Sequence, residues 1–225
     1  MRTDCLCLIE KEQVFLVEGF TEKPFVVGFT KNKVFGRLPQ DIYDALPFVR
    51  RPFAVAYLEQ IHSAKIHRIS AGGEYRGDGL FTSKENLVLV VKTADCLPIV
   101  CVDEKTGRIG VIHMGWRSAQ KQILQNIPAP SKHLKFLALC GLRRCCYQVG
   151  EQFEQESVLN PFVSTREDKR YFDPVAFTLH ELNQLGVPKE NFFNLDICNH
   201  CSDYGLHSYR KEKTMCRTLS FIIKQ

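Results

Sequence analysis

The sequence predicts a single α/β (α+β) domain with a mixed β-sheet core layered with helices. Apolar segments of strand length recur along the chain, whereas helical periodicity is found in two places. No linker or shift of composition divides the 225 residues, and a chain of this length can bury most of its apolar surface in one core. We therefore expect one domain over residues 1–225.

Seven apolar segments rich in β-branched and aromatic residues are predicted as strands. They lie at 53–58, 64–69, 87–92, 98–102, 108–113, 134–139 and 192–197. The short polar loop 103–107 joins the fourth strand to the fifth, so these two strands are expected to form a hairpin. Such a hairpin brings Cys96, just before one strand, close to His113 at the end of the other.

Two helices are predicted from capping residues and apolar periodicity. The first begins at Asp173, which can cap it, accepts Pro174 in its first turn and stops at Gly186. The second follows Arg117, with Ser118 as its cap. The predicted buried face of the first helix is Val175, Leu179, Leu182 and Leu185, and that of the second is Ile123, Leu124 and Ile127, before Pro128 and Pro130.

Composition argues against several classes of protein. The hydrophobic fraction of 44% and the charged fraction of 24% are ordinary for globular domains, so neither disorder nor a coiled coil is indicated. The formal net charge of +5 is scattered rather than gathered in a basic stripe, so we expect no nucleic-acid partner. The apolar runs are far shorter than the roughly 20 residues of a membrane span. Because acidic residues interrupt the N-terminus where a signal peptide needs an apolar core, we expect a cytoplasmic protein whose ten cysteines are thiols.

One cysteine and two histidines form the most informative group of residues. Cys96 and His113 belong to the predicted hairpin, and His62 follows the first predicted strand. One thiolate and two imidazoles are the ligand set of an open zinc site, whose fourth position is left for water or substrate. The same residues fit a cysteine hydrolase in which Cys96 attacks and His113 is its base. A third interpretation, in which Cys96 and His113 are buried residues with a purely structural role, is equally compatible with the spacing.

Three further residues are predicted to bind substrate. Gln60 precedes His62 by two positions, so in extended backbone the two side chains would lie on the same face. Asp78 lies between two glycines and is interpreted either as a turn residue or as a functional carboxylate. Arg210, in the segment Ser208-Tyr-Arg, could hold a phosphate or a carboxylate through its fork of N–H donors.

The pair Cys198 and Cys201 has the spacing of half a structural zinc site. A closed site needs a second pair, and Cys145 and Cys146 are adjacent, which is poor spacing for a zinc knuckle. The other possible partners are Cys140 and Cys216. The sequence therefore does not favour a four-cysteine site.

Six short motifs carry a resemblance to a known family. They read LEQIHS at 58–63, GDGLFT at 77–82, TADCLP at 93–98, HMGWR at 113–117, CCYQVG at 145–150 and SYR at 208–210. In these segments, which follow one another in family order from about residue 56 to the C-terminus, the chain closely resembles the YfiH family. This family is also described as multicopper polyphenol oxidase (laccase-like) and as purine nucleoside phosphorylase-like.

The resemblance implies a YfiH-like fold and one zinc ion bound by His62, Cys96 and His113, which would also be the catalytic residues. It implies phosphorolysis of adenosine, inosine, guanosine or methylthioadenosine, with adenosine deamination as a further activity. The partners would be a purine nucleoside and phosphate, with neither nucleic acid nor membrane, on a monomer or a small homo-oligomer.

Other activities implied by the family are peptidoglycan-precursor editing or another amide hydrolysis through Cys96, copper-dependent polyphenol oxidation, and zinc binding without activity. Copper is the less expected metal, because a multicopper site needs many histidines and this chain has seven, mostly unclustered.

The chain departs from the family pattern in regions expected to contact substrate. The N-terminal segment, about residues 1–55, is divergent, and its stretch 28–36 is shorter than in relatives and lacks their Thr-Arg-x-Gly-Gly and Asn-Leu-Gly segments. The stretch 140–144 replaces a Gly-Pro-rich segment and adds two arginines near the expected pocket, and Cys216 replaces a glycine. We therefore expect an altered substrate preference.

Overall fold

The computed structural model describes residues 6–22, 24–31, 38–130, 132–213 and 215–225. Within these ranges the strands are β1 (Cys7–Lys11), β2 (Val14–Glu18), β3 (Phe25–Thr30), β4 (Ala54–Glu59), β5 (Ile66–Arg68), β6 (Gly73–Arg76), β7 (Gly79–Thr82), β8 (Leu87–Thr93), β9 (Leu97–Asp103), β10 (Arg108–Met114), β11 (Leu134–Ala138), β12 (Gln148–Val149), β13 (Val163–Arg166), β14 (Lys169–Phe172), β15 (Phe192–Asn194) and β16 (Thr218–Lys224). The α-helices are α1 (Gln40–Ala45), α2 (Trp116–Gln120), α3 (Pro174–Gln184) and α4 (Tyr209–Glu212), and 3-10 helices span Ile123–Asn126, Glu151–Gln155, Asn160–Phe162 and Lys189–Asn191.

The strands form two large sheets and one small sheet. The seven-stranded sheet has the order β1-β2-β3-β16-β8-β4-β6, and the six-stranded sheet has the order β15-β11-β9-β10-β7-β5. Both are mixed, since β4 runs parallel to β8 and β11 runs parallel to β15 among antiparallel neighbours. The predicted α+β fold with a mixed sheet core is therefore confirmed, with two large sheets in that core.

The two large sheets pack face to face because alternate residues of each strand belong to different cores. In β8, Leu89 and Val91 join the core between the sheets, whereas Val88 and Val90 face the opposite side. That second core packs against α1, and a third core joins the outer face of the six-stranded sheet to α3. The result is a layered domain with helices outside two sheets.

The predicted hairpin is formed by β9 and β10, which pair antiparallel along their whole length. At its turn, the backbone N–H of Gly107 donates to the carbonyl of Asp103 at 2.8 Å, and Gly107 adopts a φ of 68°, where glycine is favoured. His113 lies opposite Pro98 in this ladder. Because Cys96 immediately precedes β9, the hairpin brings it beside His113 as predicted.

All seven predicted strands are present, as β4, β5, β8, β9, β10, β11 and β15, although β5 and β15 are shorter than predicted. The prediction missed the other nine strands of the described ranges, among them β16, which lies in the middle of the seven-stranded sheet between β3 and β8. Residues 218–223 of this strand are all buried, with Leu219, Phe221 and Ile223 in one core and Ile222 in the other, as in a strand that is covered on both faces.

The first predicted helix, α3, is confirmed with its caps. The side chain of Asp173 accepts the backbone N–H groups of Val175 and Ala176 at 3.0 and 2.9 Å. Gly186, just after the helix, has a φ of 73°. Of the predicted apolar face, Val175 and Leu182 are buried, and Leu179 and Leu185 pack partly buried against the same core.

The prediction of the second helix is wrong about the residue at which the helix begins and about its being one continuous helix. It begins at Trp116 after Gly115, and Ser118 is buried within it instead of capping it. It ends at Gln120, because Gln122 adopts a left-handed φ of 52° and a separate 3-10 helix follows. The predicted stripe of Ile123, Leu124 and Ile127 is nevertheless buried.

None of the helices in the described ranges has the length and apolar character that crossing a membrane requires. The cytoplasmic location stays a prediction from the sequence.

Of the altered stretch 28–36, residues 32–36 lie outside the described part of the chain, and Gly28 to Thr30 belong to β3.

Candidate metal centre

The centre is built around the carboxylate of Asp78, which is fully buried between β6 and β7. Its Oδ1 accepts the backbone N–H of His62 at 3.0 Å and lies 2.8 Å from Nδ1 of His113. Its Oδ2 accepts the backbone N–H and the hydroxyl of Ser63, each at 2.6 Å. Burial alone would raise the pKa of this carboxyl, but the hydrogen bonds from His113 and Ser63 outweigh burial and lower the pKa to about 2.

Asp78 fixes the orientation of His113. Because Nδ1 of the ring is held by the carboxylate, Nε2 is the nitrogen left to act as a ligand or to meet the thiol of Cys96. The His62 ring packs edge-on against His113, with ring centroids 4.8 Å apart and an interplanar angle of 77°. One buried carboxylate therefore positions both imidazoles, one through its ring and the other through its backbone.

His62, Cys96 and His113 meet with their ligand atoms all within 4.8 Å of one another. Sγ of Cys96 lies 3.8 Å from Nε2 of His62, close to the roughly 3.5 Å that separates sulfur and nitrogen in tetrahedral zinc coordination. A Cβ added at Gly115 would lie 3.0 Å from the sulfur and 2.7 Å from the His62 ring, so glycine is needed for this close approach. The donor set and its spacing fit a zinc ion.

Without a metal ion, Cys96 and His113 stabilise each other's charged form. Burial would raise the pKa of Cys96, but the His113 and His62 imidazoles outweigh it and lower the pKa to about 6. Burial would likewise lower the pKa of His113, but Cys96 and Asp78 raise it to about 9. The stable metal-free form at neutral pH is a thiolate and an imidazolium, and loss of the imidazolium proton gives the ligand set that zinc requires.

The centre opens into a cavity of about 870 Å³. Five cationic side chains line it, against three carboxylates. The cations are Lys92, Arg117, Arg210, Lys213 and Arg217, and the carboxylates are Glu59, Glu74 and Asp95. Three aromatic side chains, Trp116, Tyr147 and Tyr209, also face this space. The cavity therefore offers both a net positive field and ring surfaces beside the three donors.

Gln60 and Arg210 both line this cavity, whereas Asp78 lies behind it. The carboxamide of Gln60 donates to the backbone carbonyl of Lys92 and accepts the backbone N–H of Lys92, each at 2.8 Å. The expected extended backbone between Gln60 and His62 is wrong, because His62 adopts a left-handed φ of 53°. Asp78, predicted to bind substrate, instead places its carboxylate against His113.

Arg210 is anchored on one wall of the cavity. Its Nη1 donates to the carbonyls of Cys146 at 3.1 Å and Gln148 at 2.7 Å, and its guanidinium lies 5.5 Å from the centroid of the Tyr147 ring. Its backbone N–H donates to Asp95 at 2.7 Å. The guanidinium is therefore held at the cavity by neighbouring main chain.

Asp95 is a site residue that the sequence analysis did not single out, although it lies in the TADCLP motif. Its carboxylate accepts the Ser208 hydroxyl at 2.6 Å, the Asn199 carboxamide at 3.3 Å and the backbone N–H of Arg210. Its φ of 97° is costly for a residue other than glycine. These hydrogen bonds hold the strained turn that presents Cys96.

A family model described as multi-copper polyphenol oxidoreductase laccase matches residues 41–225. The chain belongs to this family. Two curated relatives of the chain carry the name YfiH, so the resemblance read from the motifs is confirmed.

The most similar curated relatives include proteins named purine nucleoside phosphorylase. One from Borreliella burgdorferi is 31% identical over 208 residues, covering 85% of this chain and 85% of that protein. One from Clostridium acetobutylicum is 30% identical over 187 residues, covering 76% of this chain and 77% of that protein. The purine nucleoside phosphorylase YfiH of Escherichia coli is 27% identical over 183 residues, covering 76% and 74%.

Solved structures share the fold over nearly the whole chain. YlmD from Geobacillus stearothermophilus superposes with a TM-score of 0.84 at 20% identity, covering 99% of both chains. The Bacillus licheniformis hypothetical protein YfiH gives a TM-score of 0.81 at 17% identity, covering 99% of this chain and 100% of that one. These likenesses show the YfiH-like fold.

The carboxylate of Asp78 should govern metal affinity. Asp78→Asn keeps the size of the side chain but removes the charge behind His113, so we expect zinc affinity to fall by about 10–100-fold. Affinity is measured on metal-free protein by competition with a chromophoric chelator. Asp44→Asn, which alters an exposed carboxylate on α1, is the control and should bind zinc like the wild type. Equal affinity in Asp78→Asn and wild type would contradict the positioning role.

The thiol of Cys96 should react as a thiolate at neutral pH. In metal-free protein, its alkylation by iodoacetamide should rise with pH around a midpoint near 6, because the thiolate is the nucleophile. His113→Ala removes a cationic neighbour, so the midpoint should move up towards 9.0 and the rate at pH 7 should fall. Peptide mass spectrometry across a pH series measures this, with the exposed Cys7 as internal reference. A wild-type midpoint near 9 would exclude the ion pair.

Proposed function

We propose that this chain is a zinc-dependent purine nucleoside phosphorylase acting on adenosine, inosine, guanosine or methylthioadenosine. The observation that carries the proposal is the three-donor centre opening into a cavity that combines cationic and aromatic side chains. The names of the relatives support the reaction, since two proteins named purine nucleoside phosphorylase are 31% and 30% identical to this chain over 85% and 77% of their own length. The substrate is then a small molecule.

His62, Cys96 and His113 are the proposed zinc ligands. When bound, zinc supplies a Lewis acid that polarises a substrate atom and lowers the pKa of water. The protein's part is to keep the thiolate and both imidazoles in place, which Asp78 does from behind the centre. We assign Asp78 this positioning role instead of substrate contact.

Phosphorolysis needs a site for a dianion next to the ribose. A phosphate oxygen forms a bond to C1′ of the ribose while the bond from C1′ to the purine nitrogen breaks, and the leaving base takes up a proton. Arg210 is the proposed phosphate ligand, because it lines the cavity and its planar fork suits phosphate oxygens. Lys92 and Arg217 on the same cavity add positive charge.

The purine ring requires an apolar, flat surface. Trp116 and Tyr147 line the cavity beside Cys96, and aromatic faces of this kind stack on heterocyclic rings. Arg117 stacks 4.5 Å from the centroid of Trp116, which keeps that indole in a defined place. Gln60 lines the cavity, but its carboxamide is held by the Lys92 backbone, so we assign it to shaping the wall.

Amide hydrolysis through Cys96 is the second candidate function. It is favoured by one observation: Cys96, His113 and Asp78 form a chain of nucleophile, base and orienting carboxylate, with the pKa of Cys96 lowered to about 6. In that reaction the thiolate would add to the amide carbon and His113 would protonate the leaving amine. Copper-dependent oxidation is less favoured, because the centre formed by His62, Cys96 and His113 contains only two histidines.

The proposal is tested by chromatography of each nucleoside with zinc-loaded protein, with and without phosphate. We expect free base and ribose 1-phosphate to appear only with phosphate, and Cys96→Ala to lose activity by at least 100-fold while Cys7→Ser retains it. Release of inosine from adenosine without phosphate would identify the deaminase activity instead. No turnover of any nucleoside would reject the proposal, and trapping of Cys96 by an alkylating amide substrate analogue would then favour the hydrolase.

Arg210 should act chiefly on phosphate. A charge-assisted hydrogen bond contributes about 1.5–3 kcal/mol, so Arg210→Gln should raise the KM for phosphate by about tenfold or more. Arg68→Gln, which removes an exposed guanidinium outside the cavity, is the matched control. An unchanged KM for phosphate with a lowered kcat would assign Arg210 to a different step.

A further inference from the structure

Four cysteines from two distant segments converge on one point of the surface. The sulfur atoms of Cys145, Cys146, Cys198 and Cys201 all lie within 4.8 Å of one another, and those of Cys145 and Cys201 are 3.7 Å apart. In a tetrahedral site with zinc–sulfur bonds of about 2.3 Å, neighbouring sulfur atoms are about 3.8 Å apart. The cluster therefore already has the size of a metal cage. The sequence did not favour a four-cysteine site, because the adjacent spacing of Cys145 and Cys146 gave no sign that they lie beside Cys198 and Cys201.

The main chain brings the two segments together independently of the thiols. Gly141 and Cys198 form an isolated parallel bridge, in which the N–H of Gly141 donates to the carbonyl of Ile197 and the N–H of Asn199 donates to the carbonyl of Gly141, each at 3.3 Å. Further along, the N–H of Cys146 donates to the carbonyl of Arg143 at 2.9 Å, closing a turn. This turn directs two consecutive cysteines towards the other pair.

The surroundings of the cluster suit a negatively charged metal complex. The backbone N–H groups of Arg143, His200 and Cys201 all donate to the sulfur of Cys198. Four thiolates around a divalent ion carry a net charge of −2, and the buried guanidinium of Arg143 lies close enough to Cys198 to interact with it. Arg166 adds a second cation, donating to the carbonyl of Cys145 at 3.1 Å.

We propose that Cys145, Cys146, Cys198 and Cys201 bind a second zinc ion in a closed tetrathiolate site. Soft thiolates in tetrahedral arrangement select zinc or iron, and a site with four protein ligands leaves no position for substrate. Two disulfides are the alternative, but they join sulfur atoms at about 2.05 Å in pairs and do not need all four atoms around one centre. The site shares no ligand with His62, Cys96 and His113.

The position of the site gives it a structural role at the cavity wall. Cys146 and Gln148 provide the carbonyls that hold the Arg210 guanidinium, and Tyr147 between them lines the cavity. On the other side, Asn199 next to Cys198 donates to Asp95 at 3.3 Å. A metal ion joining these segments therefore fixes the wall that carries Arg210 and the turn that presents Cys96.

Zinc counting by mass spectrometry on protein purified without added metal or chelator tests the proposal. Wild type and the control Cys7→Ser should hold two zinc ions per chain, Cys145→Ser/Cys201→Ser one, and His62→Ala/His113→Ala one. One zinc in wild type that is unchanged in Cys145→Ser/Cys201→Ser would overturn the proposal, as would iron in place of zinc. This count needs no turnover, so its result is independent of the proposed reaction.

X-ray absorption on His62→Ala/His113→Ala keeps the test decisive if the cysteine variant does not fold. This variant retains all four cysteines, and its zinc should be surrounded by four sulfur atoms at about 2.3 Å with no nitrogen. Nitrogen in the coordination shell would overturn the tetrathiolate site. An intact mass lower by the hydrogens of one or two disulfides, with no zinc bound, would also overturn it.

Discussion

The buried carboxylate of Asp78 is the contact on which the centre depends. It holds His113 through the ring and His62 and Ser63 through main chain and hydroxyl, so one side chain determines where two imidazoles lie. A charge buried in this way is stable only when its hydrogen-bonding capacity is filled. Because Asp78 must keep its hydrogen bonds to His62 and His113, it also holds these two metal ligands in place before any metal or substrate binds.

The fold supplies this arrangement by bringing strand ends together. The β9–β10 hairpin places Cys96 beside His113, and the turn before β7 places Asp78 behind them. Local strain is concentrated here, since His62 and Asp95 both have positive φ values, of 53° and 97°. Such conformations persist only where surrounding contacts hold them, and both residues sit in dense hydrogen-bond networks. The stability of the packed sheets offsets the energetic cost of these two strained residues.

Local patterns predicted the hairpin and the capped helix α3, because strand alternation and a capping Asp can be read over short windows. The three donors were predicted from the hairpin together with the motifs around His62, Cys96 and His113. The role of Asp78 could not be read this way, since a single Asp between glycines looks like a turn residue until β10 places His113 against it. The Cys145–Cys201 approach depends on a main-chain bridge between distant segments, which adjacent cysteines in the sequence do not signal. The helix α2 begins after Gly115, where only glycine fits because the His62 ring and the Cys96 sulfur lie so close. That crowding is a tertiary contact, so the start of α2 could not be predicted from local pattern.

We propose that His62, Cys96 and His113 together hold one zinc ion. Anomalous diffraction from crystals of protein purified without added metal, measured above and below the zinc absorption edge, tests it most directly. We expect a zinc peak about 2.0–2.3 Å from Nε2 of His62, Sγ of Cys96 and Nε2 of His113. A map with no peak among these three atoms, from crystals whose other zinc positions are occupied, would contradict it.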